Sequence, residues 1–82
     1  MDRLADQDEV VKKAIKVILE DTAAYKTSLN YAVAYCRYAL QLSGYDLAVQ
    51  CLYILNNISH WRGKGSKEAR AALKLYVKLS GK

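Results

Sequence analysis

An all-α domain is what this sequence predicts, on three observations. The 82 residues include no proline. The four glycines, at positions 44, 63, 65 and 81, fall outside every stretch of helical periodicity. The apolar residues recur at spacings of three and four, which places them on one face of an α-helix. Hydrophobic residues form 52% of the chain and charged residues 26%, a globular composition. One domain is expected at this length, and a chain so short gains stability from a partner. The expected architecture is a compact three- or four-helix bundle with short antiparallel connections.

The first helix is expected over about 6–21. Val11, Ala14, Ile15 and Ile18 share one side and Glu9, Lys12, Lys16 and Glu20 the other. Asp6, with Glu9 three residues on, has the spacing of an N-cap and its reciprocal acid. The second helix is expected over about 24–43, closed by Gly44 in the left-handed conformation. The stretch from Asp21 to Ser28 is compatible with a break or with one long rod. The third helix, about 46–59, starts on Asp46 as N-cap and carries Leu47, Ala48, Cys51, Leu52, Leu55 and Ile58 on one face, opposite Asp46, Gln50 and Asn57. The fourth, about 67–80, has Ser66 as its expected N-cap and Gly81 beyond its end.

The second helix is apolar on two faces. Leu29, Val33, Cys36 and Leu40 form one stripe; Tyr31, Tyr35, Tyr38 and Leu42 form another on the far side. Three roles fit the tyrosine stripe: packing inside the bundle, forming a homodimer or hetero-partner interface, or stacking on unpaired bases.

Charge is segregated along the chain. Residues 1–59 carry six Lys/Arg against seven acids; residues 60–82 carry Arg62, Lys64, Lys67, Arg70, Lys74, Lys78 and Lys82 against Glu68 alone. The net charge of +5 therefore sits in the last quarter. On the fourth helix Ala69, Ala72, Leu73, Tyr76 and Leu79 take one side. Lys67, Arg70, Lys74 and Lys78 form a stripe roughly opposite, with no acid interleaved to relieve its repulsion. A solvated helix face or a polyanion-binding face accounts for such a stripe, and segregation on this scale points to a polyanionic partner.

Catalysis is not expected. His60 is the only histidine, and Cys36 and Cys51 are too few for a zinc set. Both cysteines lie on apolar faces and read as small buried hydrophobes. No nucleophile elbow or phosphate-binding Walker loop occurs. Helical ribonucleases of the HEPN kind place an Arg a few residues before a His, whereas the arginine nearest upstream of His60 is Arg37. No cofactor or metal is implied. No apolar run approaches the ~18 residues of a membrane span, and the polar, acidic start is unlike a secretory leader. The expected setting is a soluble, cytoplasmic one, away from membranes.

Between the third and fourth helices lies Ile58-Ser-His-Trp-Arg-Gly-Lys-Gly-Ser-Lys-Glu-Ala-Arg-Ala-Ala-Leu73. This stretch resembles the helix-hairpin-helix family of non-specific DNA binders, with Ile58, Trp61, Gly63, Gly65, Ala69, Ala72 and Leu73 matching its apolar and glycine pattern. Lys64 stands where the family has an apolar residue, and Arg62 where proline is common. The resemblance implies that backbone amides at the start of the fourth helix hold a DNA phosphate, in the general manner of an anion at a helix N-terminus. Independently, Gly63 and Gly65 permit close backbone approach, and Arg62, Lys64 and Lys67 surround that point. Trp61 has two roles open to it: stacking on a base or ribose, or plugging the end of the core. The sequence thus predicts a small, basic, largely sequence-independent nucleic-acid-binding module, an accessory subunit of a larger DNA or RNA assembly. The alternative is a protein-interaction subunit that uses the tyrosine face of the second helix.

Overall fold

The computed structural model describes residues 3–81, with side chains from Asp6 onward. Four α-helices account for most of it: α1 (Arg3–Glu20), α2 (Ala32–Ala39), α3 (Gly44–Asn57) and α4 (Ser66–Leu79), with a single 3₁₀ turn at Thr22–Ala24. Neighbouring helices make the main contacts, with a lesser one between α1 and α3. α1 lies against α2 and α4, and α3 against α2 and α4, so the order around the bundle is α1, α2, α3, α4. The molecule measures 39 × 20 × 18 Å along its principal axes.

α1 buries the side predicted for it, with Val11, Ile15 and Ile18 almost wholly out of solvent. Its start is earlier than expected. The helix runs from Arg3, so Asp6 stands in the first turn, where a carboxylate still favours the dipole but is not the cap.

The second helix is much shorter than its apolar period suggested. Residues 21–31 form the 3₁₀ turn and a series of tight turns, in which the Ala24 carbonyl accepts from the amides of Thr27 and Leu29, both at 3.0 Å. Thr22, Thr27, Ser28 and Asn30 crowd this stretch, and such side chains offer the backbone alternatives to helical bonds. The Thr27 hydroxyl bonds the Ala24 carbonyl at 3.3 Å, and the Tyr25 hydroxyl reaches back to the Leu19 carbonyl at 2.5 Å. α1 and α2 are therefore separate.

Gly44 does not close α2, which ends at Ala39. It opens α3 in a left-handed conformation (φ +61°) after an extended Ser43, and its amide donates to the Tyr76 hydroxyl at 3.0 Å. Ser43 thus occupies the cap position expected of Asp46. On α4 the cap position is taken by Gly65, also left-handed (φ +79°), and Ser66 is the first helical residue.

The core is a single apolar cluster of residues from every helix and from the α3–α4 loop. Its two largest members, Trp61 and Tyr76, each bury a polar atom with a partner. The Tyr76 hydroxyl donates to the Asp8 carboxylate of α1 while accepting from Gly44, so one phenol joins α4 to α1 and to the start of α3. Burial, reinforced by that carboxylate, pushes its pKa well above the ordinary phenol value.

A candidate nucleic-acid interface at the α3–α4 loop

The loop is built on the end of α3. α3 finishes at Asn57 with Ile58 as its C-cap, and the Trp61 amide turns back to the Ile58 carbonyl at 3.0 Å. This brings the indole under the chain, where it is only 1% exposed and donates Nε1–H to Asp21 Oδ2 at 2.7 Å. Trp61 consequently plugs the end of the core between the close of α1 and the α3–α4 loop. That burial rules out its stacking role as a base or ribose platform.

The two glycines have steric reasons of their own. A Cβ at Gly63 would collide with Asp21 Oδ2 and with the indole, 2.5 Å from Nε1 and 2.7 Å from Cε2. Only glycine lets the backbone cross directly over the Asp21–Trp61 bond. At Gly65 the left-handed φ excludes most side chains, and a Cβ would stand 3.0 Å from a Val17 methyl. Packing onto the end of α1 therefore requires both residues, whether or not a ligand approaches. Lys64 between them is exposed.

The arginines and lysines of the basic segment separate into two groups. Arg70 Nη2 donates to the Ile58 carbonyl at 2.7 Å and also to the Trp61 carbonyl. Arg62 Nη1 donates to the carbonyls of Ser59 (2.7 Å) and Trp61 (3.1 Å). These carbonyls follow the C-terminus of α3, where acceptors are left without helical partners and the dipole is negative. Two guanidiniums thus complete the end of α3 and bind the loop to α4. Lys64, Lys67, Lys74 and Lys78 are exposed and, among the described residues, have no hydrogen-bond or ion-pair partner. The four-residue stripe expected on α4 accordingly has three free cations, its second position being occupied structurally. Lys82 lies outside the described residues.

At the start of α4 the Ser66 amide donates to the Gly63 carbonyl and the Ala69 amide to the Gly65 carbonyl. This leaves the amides of Lys67 and Glu68 at the helix opening, with no side chain capping them.

The tyrosine stripe of α2 faces out. Leu29, Ala32, Cys36 and Ala39 are the residues buried there, while Tyr31 is 74% and Tyr38 53% exposed. Packing within the bundle is thereby excluded for both. Leu42 lies beyond the end of α2, half-buried against the core. Tyr35 meets Tyr53 of α3, with ring centroids 5.5 Å apart and planes tilted by 34°. Tyr53 itself is 46% exposed. Sequence reasoning passed over Tyr53, although it falls on the polar side of α3 with Asp46, Gln50 and Asn57, where an aromatic ring has to be explained.

Cys36 and Cys51 are buried free thiols, each pushed up to about 12, by burial foremost. Neither is a nucleophile at neutral pH. Among the described residues no helix is long and apolar enough to cross a membrane. Comparison with protein-family models, curated proteins and solved structures finds no match to this chain.

Proposed function

We propose that the protein is a small nucleic-acid-binding module, an accessory to a larger DNA or RNA assembly, that holds the phosphate backbone on the lysines of the α3–α4 loop and α4. The observation that carries this reading is that Lys64, Lys67, Lys74 and Lys78 have no partner among the described residues, on a segment whose only acid is Glu68. Like charges at i,i+4 on a helix destabilise it, by a few tenths of a kcal/mol per pair. Lys74 and Lys78 form such a pair. A polyanion relieves that repulsion and releases its condensed counterions on binding. The glycines and arginines of the loop support the reading indirectly, by fixing where α4 begins and thus where Lys64 and Lys67 project. Sequence-independent binding is the natural mode, because the exposed positions of α4 bear lysine, alanine, leucine and one glutamate instead of the Asn, Gln and Arg that commonly read base edges.

Fluorescence-polarisation titrations of a labelled nucleic acid at several salt concentrations test this. Four lysine–phosphate contacts give a slope of log K against log salt of about −3.6 on a duplex and about −2.8 on a single strand. Lys74→Glu/Lys78→Glu should weaken binding at least about tenfold and flatten that slope by roughly two. Lys13→Glu/Lys16→Glu, an equal charge change at exposed positions of α1, should cost much less. Absence of binding at low salt, or equal losses from the two double variants, would overturn the reading.

A further inference from the structure

The tyrosine face and the lysine stripe lie on the two helices that flank α3. α3 lies between α2 and α4 in the ring of helices. The Tyr35–Tyr53 contact continues the outer face of α2 onto α3. On the other flank, Arg70 sits within the basic stripe and bonds Ile58 at the end of α3, so the stripe lies on the α3 side of α4. The outward surface of these three helices therefore carries exposed phenol rings at one edge and exposed ammonium groups at the other.

Several large rings left in water on one small domain call for a cover. Tyr31 and Tyr38 are seven residues apart, about 10.5 Å along the helix axis, and Tyr53 extends the row sideways. The charge around them narrows the chemistry of that cover. From residue 22 to the end of α4 the chain has Lys26, Arg37, Arg62, Lys64, Lys67, Arg70, Lys74 and Lys78 against Asp46 and Glu68. A partner that suits this surface presents flat apolar groups together with negative charge. A duplex presents phosphates but hides the flat faces of its bases in the stack; a single strand presents both.

We propose that the α2–α3–α4 surface binds single-stranded nucleic acid, with unpaired bases stacking on Tyr31, Tyr38 and the Tyr35–Tyr53 pair and the phosphates directed toward Lys74 and Lys78. This rests on the phosphate-binding reading above and adds the substrate class. Base–aromatic stacking of this kind tolerates any sequence, because every base has a π-face.

The test compares oligothymidylate with an abasic deoxyribose-phosphate strand of the same length and charge, by fluorescence polarisation at low salt. Oligothymidylate should bind at least about fivefold tighter, the smallest effect expected of one stacked base. Tyr31→Ala/Tyr38→Ala should remove the difference, and Tyr31→Phe/Tyr38→Phe should keep it, because the ring and not the hydroxyl does the stacking. Equal binding of the two strands by the wild type would overturn the stacking proposal and leave the phosphate reading standing. Failure of both strands and of a duplex to bind would remove both. Sedimentation velocity on the same proteins gives a further outcome. A wild-type dimer that the alanine pair converts to monomer would assign the tyrosine face to a second copy of the chain and overturn the proposal.

Discussion

Trp61 and Tyr31 belong to two regions that look alike on paper, each an aromatic near basic residues, and they have opposite fates. The loop around Trp61 turns inward. Its indole is almost wholly buried on Asp21, Gly63 crosses over that bond, and Arg62 and Arg70 spend their donors on the carbonyls that follow α3. The α2 surface around Tyr31 turns outward, with small residues (Ala32, Cys36, Ala39) against the core and phenols in solvent. A buried polar atom must find a partner, which is why the loop is internally saturated. A half-apolar ring in water has no such requirement, which is why the phenols of α2 remain in solvent. Charge divides in the same way: the arginines serve structure through several fixed donors, and the lysines project as free point charges.

This contrast is sharpest in stability. Trp61→Ala should cost about 3–5 kcal/mol, the usual range for removing a large buried aromatic, whereas Tyr31→Ala should stay within about 0.5 kcal/mol as an exposed substitution. Urea denaturation of both variants measures the difference; comparable losses would mean that the two regions do not divide as described. The next effect concerns the cations. Arg70→Ala removes two charge-assisted bonds that tie α4 to the Ile58 and Trp61 carbonyls and should cost about 1–3 kcal/mol, while Lys74→Ala should leave stability nearly unchanged. Arg70→Ala should thus move the unfolding midpoint and Lys74→Ala the salt dependence of nucleic-acid binding, which separates the structural arginine from the free lysine.

A further effect is expected at alkaline pH. Burial raises Cys36 and Cys51 from 9.0 to about 12 and lifts Tyr76 above the phenol value of 10.0. A raised value means that the native state holds its proton where the unfolded chain releases it. The associated stability is therefore complete below pH 9 and is lost as pH rises through the window from 9 toward 12. Thermal unfolding between pH 7 and pH 11 should show a falling midpoint above pH 9. Thiol reagents at pH 8 should label neither cysteine until the protein is unfolded. Absorbance titration should find Tyr76 ionising above the ordinary phenol value.

Much of the fold was legible because burial follows period. On α1 and α4 the residues predicted to face inward are largely those that do, since a helix flanked by polar residues has only one way to hide its apolar side. The second helix was misread for a related reason. Its apolar pattern continues through residues 24–31, but Thr22, Thr27, Ser28 and Asn30 divert the backbone into turns, and periodicity does not record that competition. The cap positions moved by a few residues for a similar cause. Asp46 and Ser66 have the right chemistry, yet Gly44 and Gly65 already hold the left-handed backbone at those entries. On the candidate site, the lysines were visible as charge. The retention of Arg70 by α3 was not, because its acceptors lie 12 and 9 residues away on another element.

The sequence by itself determined an all-α chain with its positive charge gathered in the last quarter and a glycine-bearing loop before its final helix. These properties follow from composition and local spacing, which require no knowledge of what lies opposite. Only the tertiary structure decided which aromatics are buried, which cations are free and why the two glycines are needed. Each of those depends on a partner distant in the chain: Asp21 for Trp61 and Gly63, Val17 for Gly65, Ile58 for Arg70, Tyr53 for Tyr35. Periodicity assigns a residue to a face of its own helix. Whether that face is covered depends on the packing of the other helices around it.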